Sequence, residues 1–186
     1  MITSILQDES LTSIMSNKIK EHNVGLVIDS SYYIDDLLDS TKIVNLEIDK
    51  FYNSQRLANT PPSIDNLVAI KRTDDIYTLY LIELKDVQKM KSIGRNIEEK
   101  FKTTIDDFMA YRYRHIFQKQ NIKYTDIKLL LVCNRFKFLG EDITDEQYER
   151  KIKNSIVEKL LLAKPIKFNN IACRITPVYT EQFSIL

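Results

Sequence analysis

In the stretch IYTLYLIELK (76–85) an apolar run rich in β-branched and aromatic residues ends on a carboxylate, Glu83, and an ammonium, Lys85. Such a run predicts a strand. Along a strand, residues i and i+2 share a face, so Glu83 and Lys85 point the same way at one end of a sheet. Three other acidic-x-Lys triplets occur: Glu98–Lys100, Asp126–Lys128 and Glu149–Lys151. The first and last lie on predicted helices, where i and i+2 diverge, and Asp126 precedes its strand. Context therefore selects Glu83 and Lys85.

A second carboxylate joins them through the preceding strand. IDNLVAIKR (64–72) also has strand character, and the turn residues Thr73-Asp74-Asp75 join the two runs. A turn centred near Asp74 places Asp65 opposite Glu83, with Cβ atoms about 4.5–5.5 Å apart. A slip of one residue would send Asp65 to the other face. Two carboxylates this close repel by a few kcal/mol at an effective dielectric of about 20. That is tolerated when a cation lies between them or when one keeps a proton. Oxygen donors and water suit a hard divalent ion such as Mg²⁺, and a lysine beside them suits a water or a phosphate oxygen. The combination fits metal-assisted phosphodiester hydrolysis. The plainer use of Glu83 and Lys85 is a solvated ion pair worth less than about 1 kcal/mol.

The elements that position these residues follow from periodicity and turn chemistry. A polar helix is expected over 3–22, a short strand near 24–33 and a helical piece over 32–40. Residues 41–57 read as a helix with Ile43, Leu46, Ile48, Phe51 and Tyr52 near helical spacing, broken by Pro61-Pro62. A long helix is expected from about 93 to 119, its Ile97, Phe101, Ile105 and Phe108 forming a core stripe. DIKLLLVCN (126–134) is the continuous apolar strand of a sheet covered on both faces. Thr144 and Gln147 are spaced as a capping box for a helix over 144–163, and extended segments close the chain. No repeat or linker is evident. The expected fold is one α/β domain over 1–186, a mixed central sheet flanked by helices on both faces. It comprises a helical extension (about 1–40), a core (about 41–134) and a C-terminal helix with strands (about 144–186).

Composition narrows the chemistry. Three glycines, with neither a GxGxxG nor a Walker loop, argue against a glycine-rich phosphate cradle and a nucleotide cofactor. Cys133 and Cys173 lie in apolar surroundings and read as reduced, buried residues, not as zinc ligands. No apolar run reaches the ~20 residues that span a bilayer, and no signal peptide is read at the N-terminus; a cytoplasmic protein is expected. With a net charge of +1, any nucleic-acid surface must come from local clustering. Lys89, Lys91, Arg95, Lys100 and Lys102 supply such a cluster just beyond the 76–85 strand, where they could hold DNA phosphates or simply be solvated. YRYRH (111–115) interleaves aromatic and basic residues, but on a helix these point in several directions.

An Asp at the start of one strand, after a proline turn, then seventeen intervening residues and an apolar strand ending Glu-x-Lys resemble the motif of the PD-(D/E)xK nuclease superfamily. Here "PPSID" supplies Asp65 and "LIELK" supplies Glu83 and Lys85, although Ser63 and Ile64 separate Pro62 from the acid. The resemblance covers about residues 41–134. It implies a restriction endonuclease-like αβββαβ core, although no clear first strand is read between the 41–57 helix and Asp65. It also implies a Mg²⁺-dependent endodeoxyribonuclease, with Mn²⁺ as substitute, leaving 5′-phosphate and 3′-hydroxyl ends. Asp65, Glu83 and the Leu84 backbone carbonyl would hold the metal, and Lys85 would position the attacking water. A further acid on the preceding helix would be Glu47, with Asp49 behind it. A stand-alone chain of this size fits a type II restriction endonuclease acting on double-stranded DNA as a homodimer. A Holliday-junction resolvase or a nuclease subunit of a defence or transposition complex comes next. A non-catalytic DNA-binding or assembly subunit with the same fold is the reading of another class.

Overall fold

A computed structural model describes residues 1–55, 58–86, 96–133, 144, 146–147, 150, 153, 156–180 and 184–185. At its centre, β5 (Ile43–Glu47), β6 (Asn66–Lys71), β7 (Ile76–Lys85), β8 (Lys123–Cys133) and β11 (Ile175–Tyr179) form a sheet in the order β11-β8-β7-β6-β5. β5, β6 and β7 make an antiparallel meander, whereas β8 and β11 run parallel to β7. The β7-to-β8 connection carries the helices, as a parallel crossover requires. Asn66 pairs with Ile82 and Lys71 with Tyr77, the register expected from a turn at Asp74.

The faces of this sheet divide by residue parity. Leu67, Ala69, Tyr77, Leu79, Leu81, Leu129 and Leu131 pack in the larger core, beneath the helices. Val68, Ile70, Tyr80, Ile82, Leu84, Leu130 and Val132 pack in a second core on the opposite face. That face is covered by β1 (Ile19–Glu21), β2 (Val24–Ile28) and β12 (Ser184–Ile185), which contribute Ile19, Val24, Leu26, Ile28 and Ile185. Strands, not helices, therefore cover this face among the described residues, which corrects the expectation of helices on both sides.

The region expected to be a helical extension holds only two short helices, α1 (Ile2–Leu6) and α2 (Glu9–Thr12), before the chain turns extended. Asp8 accepts the Leu11 N–H and caps α2, ending any continuous 3–22 helix. Residues expected to be helical near 33–39 instead form a hairpin, β3 (Tyr33–Ile34) with β4 (Leu37–Leu38). Its two turn residues, Asp35 and Asp36, both have positive φ, 50° and 62°, as a type I′ turn demands.

The 41–57 helix is also corrected. Residues 43–47 are β5, and helix α3 begins only at Ile48 (Ile48–Ser54). Ile43 and Val44 are buried in different cores, so an apolar run that resembled one helical face serves both faces of a strand. β5 is a strand ahead of Asp65, in a stretch where no clear strand is read from the sequence. Residues 14–18 lie along its outer edge: Glu47 N–H donates to Ile14 O, Ser16 N–H to Asn45 O, and Asn45 Nδ2 to Ser16 O and Lys18 O.

The long helix is realised as α4 (Ile97–Thr103), a π-helical stretch (Thr104–Arg112) and α5 (Arg114–Phe117). Ile97, Phe101, Ile105, Phe108 and Met109 are buried, as the stripe implied. The Thr144–Gln147 capping box forms reciprocally, each backbone N–H meeting the other's side chain at 3.3 Å. Helix α6 (Ile156–Leu162) and the antiparallel pair β9 (Ile166–Phe168) and β10 (Ile171–Cys173) precede β11. Cys133 and Cys173 are free and buried. No helix among the described residues is long and apolar enough to cross a membrane.

Candidate active site

Glu83 and Lys85 have the odd parity of Leu79 and Leu81, and Asp65 that of Leu67 and Ala69, so all three belong to the helix-covered face. Asp65 stands immediately before β6 and continues its ladder. Its N–H donates to Ile82 O at 3.1 Å, while its carbonyl accepts from Ile48 N–H at 2.9 Å. Its Oδ2 accepts the backbone N–H of Leu84 at 2.5 Å. The first acid is thus fixed by the residue between Glu83 and Lys85, and the three groups converge at one pole of the sheet.

Glu83 is completely buried. Its Oε1 accepts from two ammonium groups, Lys85 Nζ at 2.6 Å and Lys100 Nζ at 2.7 Å. Its Oε2 is buried and has no hydrogen-bond partner. An orphaned carboxylate oxygen is costly unless something else meets it. Burial pushes the Asp65 carboxyl up to about 7, and the neighbouring charge of Glu83 acts in the same direction. The Leu84 N–H, Lys100 and Lys85 offset part of this. Burial alone would lower the Lys85 ammonium, but the charges of Glu83 and Asp65 outweigh it and hold it above the usual lysine range.

Lys100 was expected among the phosphate-binding lysines, yet it lies inside the site against Glu83, with only 18% of its side chain exposed. The spacing carried the signal: Lys100 falls between Ile97 and Phe101 or Thr104 on the buried stripe of α4. Two bonds hold this helix turn in place. Thr104 Oγ1 donates to Lys100 O at 3.0 Å and accepts the Ile64 N–H at 3.3 Å, next to Asp65.

Glu47 is not brought to this cluster. It ends β5 with the parity of Ile43, facing the opposite side of the sheet beside Asn66, and pairs with Lys50 at 3.4 Å. Asp49, in the first turn of α3, is solvent-exposed as a residue, but its carboxyl is raised, first by partial desolvation and then by Glu47. Lys100 acts against that shift, so Asp49 senses the site from its margin. Among the described residues no three acidic, cysteine or histidine side chains gather as a ligand set by themselves. Lys102 forms a surface pair with Glu98 at 2.5 Å. Lys89, Lys91 and Arg95 lie outside the described residues. In 111–115, Tyr113 is buried in the core and Arg112 is bound to Asp107 at 2.6 Å, while Tyr111 is 78% exposed.

Comparison with family models, curated proteins and solved structures gives no match.

Proposed function

We propose that this chain is a Mg²⁺-dependent endodeoxyribonuclease of the PD-(D/E)xK type, hydrolysing phosphodiester bonds in double-stranded DNA as a homodimer in the manner of a type II restriction endonuclease. The observation that carries this reading is the buried, unpartnered Oε2 of Glu83 at a pole shared with Asp65 and Lys85. The element order adds support. The β5-β6-β7 meander, the helical crossover and the parallel β8 run in the βββαβ sequence that the resemblance implies, although β1 to β4 separate the N-terminal helices from β5 and α3 lies between β5 and β6.

The donor set fits the ion. Mg²⁺ is commonly held by one or two carboxylates, with waters and substrate phosphate completing its shell, so Asp65 and Glu83 suffice without a third acid. They would hold it together with the Leu84 carbonyl. The chemistry supplied at these residues by a bound Mg²⁺ would be polarisation of a phosphoryl oxygen and acidification of a water. Asp65 must shed its proton to serve as a ligand. Lys85, 24% exposed and on the same face, would orient the nucleophilic water and neutralise charge that develops on the phosphate. Lys102, with Lys89, Lys91 and Arg95, would contact the DNA backbone.

Incubation of supercoiled plasmid with the protein and Mg²⁺ tests this reading. Cleavage by wild type, abolished by EDTA and by Asp65→Asn and Lys85→Ala, is the expected result. Cleavage retained in both variants removes these residues from the chemistry. The two ammonium groups already on Glu83 favour a second reading, a non-catalytic DNA-binding subunit in which these charges serve the fold. Its signature is absence of cleavage with DNA affinity unchanged in both variants.

A further inference from the structure

Two lysines serve one oxygen of Glu83 while the other oxygen has no partner. The two ammonium groups match the two carboxylates, Glu83 and Asp65, in number, but both bond to Glu83 Oε1, and two ammonium nitrogens within hydrogen-bond distance of a single oxygen are close neighbours that repel. A divalent cation arriving at Oε2 increases that repulsion, and one lysine must yield. The two are not equally free to do so.

Lys100 belongs to a helix turn held by Phe101 and Ile97, which are buried, and stitched to the Asp65 segment through Thr104. Lys85 ends its strand, has the more exposed side chain and shares the face on which Asp65 lies. We propose that Lys100 is a positioning residue, which keeps Glu83 by Oε1 so that Oε2 faces the cation and so releases Lys85 to the substrate. The proposal rests on the metal-dependent reading above and divides the labour of the two lysines within it.

The arrangement also accounts for the charge. Two ionised carboxylates, two ammonium groups and a divalent cation leave the pole with a net charge of +2. Phosphodiester hydrolysis passes through a transition state more negative than its monoanionic ground state, so a site of this charge stabilises the former more. Without Lys100, Lys85 would remain as the sole counter-charge of Glu83, and one lysine could not fill both roles.

The experiment has three readouts on the full-length chain. Calorimetry with Mg²⁺ reports ion uptake. Acylation of lysine amines, mapped by mass spectrometry with and without saturating Mg²⁺, reports which ammonium is released. Single-turnover plasmid cleavage compares Lys85→Met, Lys100→Met, Lys100→Arg and the double Met variant. We expect Mg²⁺ to raise labelling of Lys85 severalfold and to leave Lys100 protected. Lys100→Met should lower the cleavage rate roughly tenfold to hundredfold with KM little changed, and Lys100→Arg should restore most of it. The double variant should be no slower than Lys85→Met alone, since Lys100 acts through Lys85. Release of Lys100 instead of Lys85, or independent rate losses in the two Met variants, overturns the proposal while ion uptake and cleavage leave the nuclease reading standing. Absence of both ion uptake and cleavage removes the nuclease reading, and this inference with it. The labelling arm uses wild type, so it decides the matter even if Lys100→Met fails to fold.

Discussion

The backbone N–H of Leu84 donates to the side chain of Asp65, so the acid ahead of β6 is aimed by the residue between Glu83 and Lys85. Two separate strands thereby share one hydrogen bond at the pole of the sheet. The position of one carboxylate depends on the register of the other's strand.

That coupling gives a pH dependence. The unfolded Asp carboxyl ionises near 3.9, whereas burial and Glu83 push the folded Asp65 up to about 7. Between those values the native state keeps a proton that the unfolded chain has lost, so stability falls as pH rises from about 4 to about 7. Asp65→Asn should flatten the decline and exceed wild type at pH 8 by up to about 4 kcal/mol in urea unfolding. Saturating Mg²⁺ should stabilise wild type at pH 8 more than at pH 5, and the variant at neither.

Glu83→Gln should be the most damaging conservative change at the site. It strips the shared counter-charge from Lys85 and Lys100, which then face each other across a neutral amide. Removing one partner of a buried ion pair costs about 3–5 kcal/mol. The less-than-full burial of the lysines puts the expected loss at the lower end. Chemical denaturation measures it, and restoring most of the stability by adding Lys100→Met would identify the uncompensated ammonium as the cause.

Thr104→Val keeps the shape of a fully buried side chain and removes only its hydroxyl. The Ile64 N–H loses its acceptor, at an expected cost of about 1–3 kcal/mol. Faster amide hydrogen exchange at Ile64 than at Val68 or Ile70 would show that the effect begins next to Asp65. Uniform acceleration throughout β6 would contradict it.

Asn45→Ala should loosen the outer edge of the sheet. Asn45 is fully buried, donates to Ser16 O and Lys18 O and accepts from Asn66 Nδ2 at 3.0 Å. Each net hydrogen bond is worth about 1 kcal/mol, so a loss of about 3 kcal/mol is expected, with hydrogen exchange rising first in residues 14–18.

Much of the site was legible in the chain itself. The strand-forming apolar runs of 64–72 and 76–85 and the turn chemistry at Asp74 set the hairpin register, and with it the face shared by Asp65, Glu83 and Lys85. The apolar run at 126–134 announced a doubly covered strand, and the spacing of Thr144 and Gln147 announced a cap. These are local or nearest-neighbour properties, for which short-range sterics and hydrogen bonding suffice.

Other features depended on which surfaces meet. Residues 43–48 satisfy helical and strand patterns alike, because Ile43, Val44, Leu46 and Ile48 fit either spacing, and β5 forms because two cores cover it. Glu47 was placed by that choice: as the end of a strand it faces away from Asp65. Lys100 had the spacing of a buried stripe, but a lysine on such a stripe can also reach out to solvent. Only the docking of α4 over β7 brought its ammonium to Glu83. The chain alone determined the hairpin and the acids and lysine it carries. Tertiary packing decided which further charges join them, because burial and electrostatics depend on neighbours that are distant in sequence.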